Sequence, residues 1–181
     1  MTLTFLVGGA RSGKSTLAVQ LGEHFGGPVV FLATAEPFDH DMAQRVARHR
    51  DERPAHWTTV EEPVDIAAAI HSVPDSSMLI VDCLTVWLAN LAVRVISPAE
   101  MLRSGHDMVD ELRSRRGRGA SPVVVVSNEV GLGIVPADAD TRAYRDTLGR
   151  INQMVAAAAD TTLFMAAGKA MRLDNPWDLL R

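Results

Sequence analysis

The chain has 181 residues, 47% of them apolar and 22% charged, with a formal net charge of −4. That is enough for one domain with a full core, and the acidic balance argues against nucleic acid as an obligatory partner, which usually demands a basic face. With no apolar run near the roughly 18 residues of a membrane span, no basic-then-apolar leader and a single cysteine, Cys83, the expectation is a cytoplasmic protein with no membrane span and no internal disulfide.

The first apolar run, Leu3-Thr4-Phe5-Leu6-Val7, predicts a strand and leads straight into Gly8-Gly9-Ala10-Arg11-Ser12-Gly13-Lys14-Ser15-Thr16, which fits G-x-x-x-x-G-K-S/T. Helix-forming residues from Leu17 to Leu21 follow. Strand, motif and helix in that order make a phosphate-binding P-loop rather than a glycine-rich turn. Glycines at 8 and 13 let the backbone turn tightly and aim its N–H groups inward, where the helix start adds partial positive charge. Lys14 is expected to bridge the outer phosphates of a nucleotide, and Ser15 to bind the Mg²⁺ that neutralises the same oxygens.

A second strand is predicted over Val29-Val30-Phe31-Leu32-Ala33, then a helix over 40–52. This helix carries Arg45, Arg48, His49 and Arg50, and Pro54 stops it just past Arg53, so one imidazole is ringed by cations. Such neighbours disfavour protonation and hold the neutral, nucleophilic form. On the residues alone this reads first as a solvated basic helix face. A helix over 63–72 precedes the run Met78-Leu79-Ile80-Val81, which ends in Asp82. A carboxylate there makes Asp82 the candidate to hold Mg²⁺ beside Ser15, the alternative being a cap for the next helix. Cys83, in an apolar stretch, reads as a buried thiol.

Helices are predicted over 84–95 and 98–116, then a loop over 117–122 and a strand over Val123-Val124-Val125-Val126. That strand ends in Ser127-Asn128-Glu129, and polar groups at strand C-termini of parallel sheets fall in the ligand crevice. Glu129 fits three roles: a base, a second carboxylate near the metal, or a residue holding a loop. The helix over 138–159 places Tyr144, Leu148, Ile151 and Val155 on one stripe, and Thr162-Leu163-Phe164-Met165-Ala166 supplies a fifth strand. From Asp174 to Arg181 the chain reads as a short tail with Trp177 as its anchor. The strands are apolar without alternation and separated by helices, as in a mostly parallel sheet covered on both faces.

GGARSGKS at 8–15, TAEPFDHDMAQRVARHRDERPAHWTTVEEP at 34–63, VDCLTVWLANL at 81–91, SNEVGLGIVP at 127–136 and RAYRDTLGRINQMVAAAAD at 142–160 together resemble one family. It is the bifunctional adenosylcobinamide kinase/adenosylcobinamide-phosphate guanylyltransferase family of cobalamin biosynthesis. The resemblance implies an α/β fold, a single P-loop (RecA-like) domain over 1–181 with its tail from about 174, and a homotrimer. It also implies two activities. Adenosylcobinamide is phosphorylated with ATP or GTP, and GMP then passes from GTP to adenosylcobinamide phosphate, giving adenosylcobinamide-GDP and pyrophosphate.

The histidine of the family's H-x-x-x-R-P segment, which carries GMP covalently, matches His49 and changes the reading of the basic cluster. His56, the competing histidine, is given a structural role by its neighbour Trp57. The family's nucleotide contacts would fall on Gly8, Gly9, Ala10, Arg11, Ser12, Gly13, Lys14 and Ser15, on Thr34, Ala35 and Glu36, on Arg50, Asp51, Glu52 and Arg53, and on Glu61 and Asp82. Ser15 and Asp82 would hold the metal, with His49 and Lys14 catalytic.

Overall fold

In the computed structural model the described residues are 2–37, 44, 50 and 53–180. Seven strands form one sheet: β1 (Leu3–Gly8), β2 (Val29–Ala33), β3 (Thr58–Glu61), β4 (Met78–Asp82), β5 (Val123–Asn128), β6 (Thr161–Ala166) and β7 (Lys169–Leu173). Their order is β3-β2-β4-β5-β1-β6-β7, parallel throughout except that β7 runs antiparallel to β6. The helices are α1 (Lys14–Phe25), α2 (Ile66–Ser72), α3 (Leu84–Val93), α4 (Pro98–Gly117) and α5 (Ala139–Ala158). Most of the helix expected over 40–52, with His49, Asp51 and Glu52, lies outside the described residues.

The strands lack polar alternation because both faces of the sheet are buried. Leu3, Phe5 and Val7 of β1 face one core with Leu79, Val81, Val123 and Val125, roofed by α2 to α5. Leu6 faces the other with Phe31, Ile80, Val124 and Val126, covered by α1 and Trp57. Neighbouring residues on a strand point to opposite faces, so a strand buried on both reads as a continuous apolar run. On α5 the expected stripe holds: Leu148, Ile151 and Val155 are fully buried, and Tyr144 packs at the edge of the same core. Ser97 and Glu100 start α4 with a reciprocal capping box, and Asp65 and Asp138 cap α2 and α5.

Two strands escape sequence reading. β3 has four residues at the sheet edge, and every residue of β7 is exposed, so neither carries an apolar run. β7 is specified instead by its turn. Ala167 (φ 50°) and Gly168 (φ 72°) both take the left-handed conformation, which the right-handed twist of a two-residue hairpin requires. The tail also departs from expectation. Pro176–Asp178 form a short 3₁₀ turn with Trp177 69% exposed, so the indole anchors nothing among the described residues.

At the end of β1 the chain comes closest to its neighbour. Gly8, at φ 155°, stands opposite Met165 of β6, and a Cβ there would lie 2.2 Å from the Met165 carbonyl oxygen. A backbone oxygen has no rotamer by which to move aside. Gly8→Ala is therefore expected to cost about 1–3 kcal/mol or more, as overpacking does. The readout is the denaturant midpoint at constant m-value, and an unchanged midpoint would show that β1 and β6 do not abut as described.

Candidate active site

The P-loop runs from the C-terminal end of β1 to the first turn of α1. Gly13 caps α1 in the left-handed conformation at φ 97°, and Arg11 turns the loop at φ 56°. Lys14 is only 6% exposed, and its Nζ lies 2.9 Å from the Gly8 carbonyl, 2.6 Å from that of Gly9 and 3.2 Å from the Ser12 hydroxyl. Three acceptors match the three N–H groups of an ammonium. Burial lowers the Lys14 pKa, while Cys83 and Asp82 oppose the shift. The P-loop cation and the end of β4 thus share one electrostatic neighbourhood. Gly9, Ala10 and Arg11 are exposed on the outer side of the loop, and Ser15 is half-buried on α1.

A feature that sequence reading missed braces the loop. The β6–β7 turn lies against it: the Gly168 N–H donates to the Ser12 carbonyl at 3.0 Å, and a Cβ on Gly13 would sit 3.2 Å from the Gly168 Cα. The pairing is invisible in sequence because Ser12 and Gly168 stand at opposite ends of the chain. Only the two consecutive left-handed residues, Ala167-Gly168, hint at it.

Thr34, fully buried just past β2, ties three segments together. Its hydroxyl donates to the Cys83 carbonyl at 2.8 Å and accepts from the Cys83 N–H at 2.9 Å, where the Asp82–Cys83 peptide is cis. Its carbonyl accepts from the side-chain amide of Asn90 at 2.7 Å, and the same amide donates to the Pro63 carbonyl at 3.1 Å. Asn90 lies on α3, an apolar helix, and nothing in its sequence context singled it out. Asp82 is half-buried at the end of β4, beside Ala33 of β2 and Val126 of β5 in register.

The other expected contacts fall into pairs. Arg50 meets Glu61 at 2.6 Å, and Glu36 meets Arg94 of α3 at 2.5 Å. Arg53 stacks its guanidinium 3.7 Å above the Phe31 ring. Ala35 is half-buried between Thr34 and Glu36. His56 is exposed, while its neighbour Trp57, 8% exposed, fills the core beside α1. Glu129 donates its N–H to the Gly8 carbonyl at 3.1 Å, while its carboxylate accepts from the Gly131 N–H at 2.5 Å. Of the three roles open to it, this contact is the one that holds a loop. Tyr144 donates to the Thr85 carbonyl at 2.8 Å, and the Thr85 hydroxyl accepts from the Asn128 N–H at 2.8 Å.

Among the described residues no cluster of three His, Cys, Asp or Glu could cage a metal, and no helix is long and apolar enough to cross a membrane.

A family model described as cobinamide kinase / cobinamide phosphate guanyltransferase matches residues 4–173. The chain is 40% identical over 169 residues to the bifunctional adenosylcobalamin biosynthesis protein CobP of Pseudomonas aeruginosa, spanning 93% of this chain and 95% of that one. It is 36% identical over 182 residues to the bifunctional adenosylcobalamin biosynthesis protein CobU of Salmonella typhimurium, spanning 94% of this chain and 99% of that one. In fold it is similar to the RadB recombinase, with a TM-score of 0.55 over 90% of this chain and 73% of that one at 18% identity. The sheet is thus RecA-like.

Cys83 is half-buried as a residue, yet desolvation, reinforced by the Asp82 charge, pushes its thiol up to about 12 from 9.0. The protonated form is favoured, so the thiol carries about a thousandfold less thiolate at pH 8 than a free cysteine. Alkylation of native protein by iodoacetamide, followed by mass spectrometry, is expected to be slower by about that factor than after denaturation. Equal rates would mean that the thiol is solvated.

Proposed function

Because the chain belongs to the cobinamide kinase / cobinamide phosphate guanyltransferase family, an enzyme family with both activities, we propose that it performs two successive steps at the P-loop edge of its sheet. In the first, the hydroxyl of adenosylcobinamide attacks the γ-phosphorus of ATP or GTP, the bond to the β,γ-bridging oxygen breaks, and ADP or GDP leaves while the hydroxyl proton is lost. In the second, GMP passes from GTP to the resulting phosphate through His49. The observation that carries this reading is the buried Lys14 ammonium, held in the P-loop within the field of Asp82, inside a chain matched by the family from residue 4 to 173.

In the kinase step the P-loop N–H groups and Lys14 hold the β- and γ-phosphates while the hydroxyl approaches in line, and positioning supplies most of the rate. An entering phosphate offers the Lys14 ammonium an anionic acceptor in place of the Gly8 and Gly9 carbonyls, so little reorganisation is needed. Ser15 and Asp82 would hold Mg²⁺, which spreads the charge of the phosphate oxygens when bound.

In the guanylyl step the His49 imidazole attacks the α-phosphorus of GTP, a P–N bond forms and the bond to pyrophosphate breaks. Pyrophosphate leaves carrying negative charge that Lys14 faces. An oxygen of adenosylcobinamide phosphate then attacks the same phosphorus, the P–N bond breaks and the imidazole is restored. Arg50, Arg53, Glu61, Thr34, Ala35 and Glu36 surround the nucleotide in this reading, with Asp51 and Glu52. The protein works in the cytoplasm as one P-loop domain assembled into a homotrimer.

Incubation with Mg²⁺ and GTP labelled at the α-phosphate, then denaturation, is expected to leave label on the protein that survives alkali, is lost in acid and is absent from His49→Ala. Lys14→Ala should lower both activities by about a hundredfold or more, since it removes a charge that meets the developing phosphate charge. No α-label, with γ-transfer to adenosylcobinamide intact, would reduce the protein to a kinase.

A further inference from the structure

Side chains from two helices are spent on the backbone of one residue, Asn128, at the C-terminal end of β5. Its N–H donates to the Thr85 hydroxyl of α3 at 2.8 Å, and its carbonyl accepts from the Asn152 amide of α5 at 3.0 Å. β4 pairs with β5 only as far as Asp82 opposite Val126, so these two side chains supply the bonds that a longer β4 would make. Thr85 is held in turn by Tyr144, which donates to its carbonyl at 2.8 Å. On the β1 side the next residue, Glu129, donates its N–H to the Gly8 carbonyl at 3.1 Å. The strand end is fixed from both directions.

The Asn128 side chain is left out of this network. It is half-buried and makes no hydrogen bond among the described residues, so two N–H donors and an acceptor oxygen stay unused. Val124 and Val126 face the core under α1, and alternation along the strand sets Asn128 on the same face. Ile80 faces that core too, which gives Asp82 the same face of β4. α1 covers this face and carries Lys14 and Ser15 in its first turn. Gly8, opposite Asn128 in register, has no side chain to cover the amide, and its carbonyl accepts from the Lys14 ammonium at 2.9 Å as well as from the Glu129 N–H. The free amide therefore stands beside the contact that holds the P-loop cation. Glu129 is the poorer candidate for a phosphate, since its carboxylate is an anion and already accepts from the Gly131 N–H.

We infer that the Asn128 side-chain amide donates a hydrogen bond to a γ-phosphoryl oxygen of the nucleotide in the kinase step. The inference rests on the kinase reading given above. As the bond from the substrate oxygen to the γ-phosphorus forms and the bond to the β,γ-bridging oxygen breaks, ADP or GDP leaves and the hydroxyl proton is lost to water. Charge on the γ-phosphoryl oxygens is stabilised by donors already in place, and a clamped strand end holds this donor without reorganisation. The amide transfers no proton. In the guanylyl step the bond that breaks is at the α-phosphorus, so Asn128 is a catalytic residue for the first step alone.

The test compares wild-type protein with Asn128→Ala and Asn128→Asp. Steady-state γ-transfer from GTP to adenosylcobinamide, the rate of α-labelling of the protein by GTP, GTP affinity and the denaturant midpoint are measured on each. Asn128→Asp keeps the shape of the side chain and loses its donor, so it reports the hydrogen bond even if truncation disturbs the strand end. For both variants kcat of γ-transfer is expected to fall about a hundredfold, as loss of one preorganised donor does. In Asn128→Ala, GTP affinity and the α-labelling rate should stay within about threefold of wild type, because the lost contact matters most in the transition state of the first step. Wild-type kcat in Asn128→Asp would overturn the inference. Equal loss of γ-transfer, α-labelling and GTP affinity in Asn128→Ala would overturn it too, making Asn128 a support of the P-loop. Wild-type protein that binds GTP but passes no γ-phosphoryl group to adenosylcobinamide would instead overturn the kinase reading, and the inference with it.

Discussion

Everything at the nucleotide edge hangs on how closely the end of β1 lies against β6. Backbone meets backbone at Gly8 and Met165 with no space for a side chain between them, and the same packing brings the Ala167-Gly168 turn onto the P-loop. A P-loop must present its N–H groups in a fixed concave array, because charge stabilisation counts only if the dipoles are already oriented. Here the array is held from beneath by the strand and from the side by the hairpin. The Lys14 ammonium, satisfied by loop acceptors, closes it from within.

The second support is a chain of buried polar contacts that crosses the sheet edge. Thr34 binds both the N–H and the carbonyl of Cys83, and Asn90 binds the carbonyls of Thr34 and Pro63. These contacts set where Asp82 stands relative to Lys14, since Asp82 immediately precedes Cys83. Buried polar groups of this kind cost most when half-satisfied, so the cluster tolerates little movement of β2 against β4. The thiol inside it, shielded by protein and by the Asp82 charge, is chemically quiet. On the far side of β1 the loop after β5 hangs on Glu129, so the same strand end orders both the phosphate cradle and that loop.

Much of this was legible in the chain. The P-loop, the five apolar strands, helices α1 to α5 within a few residues at each end and the Tyr144 to Val155 stripe follow from local pattern, because a strand buried on both faces and an amphipathic helix each write their environment into consecutive residues. Strands β3 and β7 do not, since an edge strand with exposed side chains has no apolar signature. Trp177 misled for a related reason: a large aromatic residue in a short tail suggests an anchor, yet anchoring depends on what surface the tail meets.

The sequence by itself determined the phosphate chemistry and the family, since a P-loop is a local device whose glycines, lysine and serine lie within a few positions of one another. Tertiary structure decided the rest of the site. That Gly168 braces Ser12, that Thr34 clasps Cys83, that Arg50 reaches Glu61, and that Asn152 donates to the Asn128 carbonyl are contacts between residues 11 to 156 positions apart. Such contacts follow from strand order and register, and no local pattern of residues encodes those.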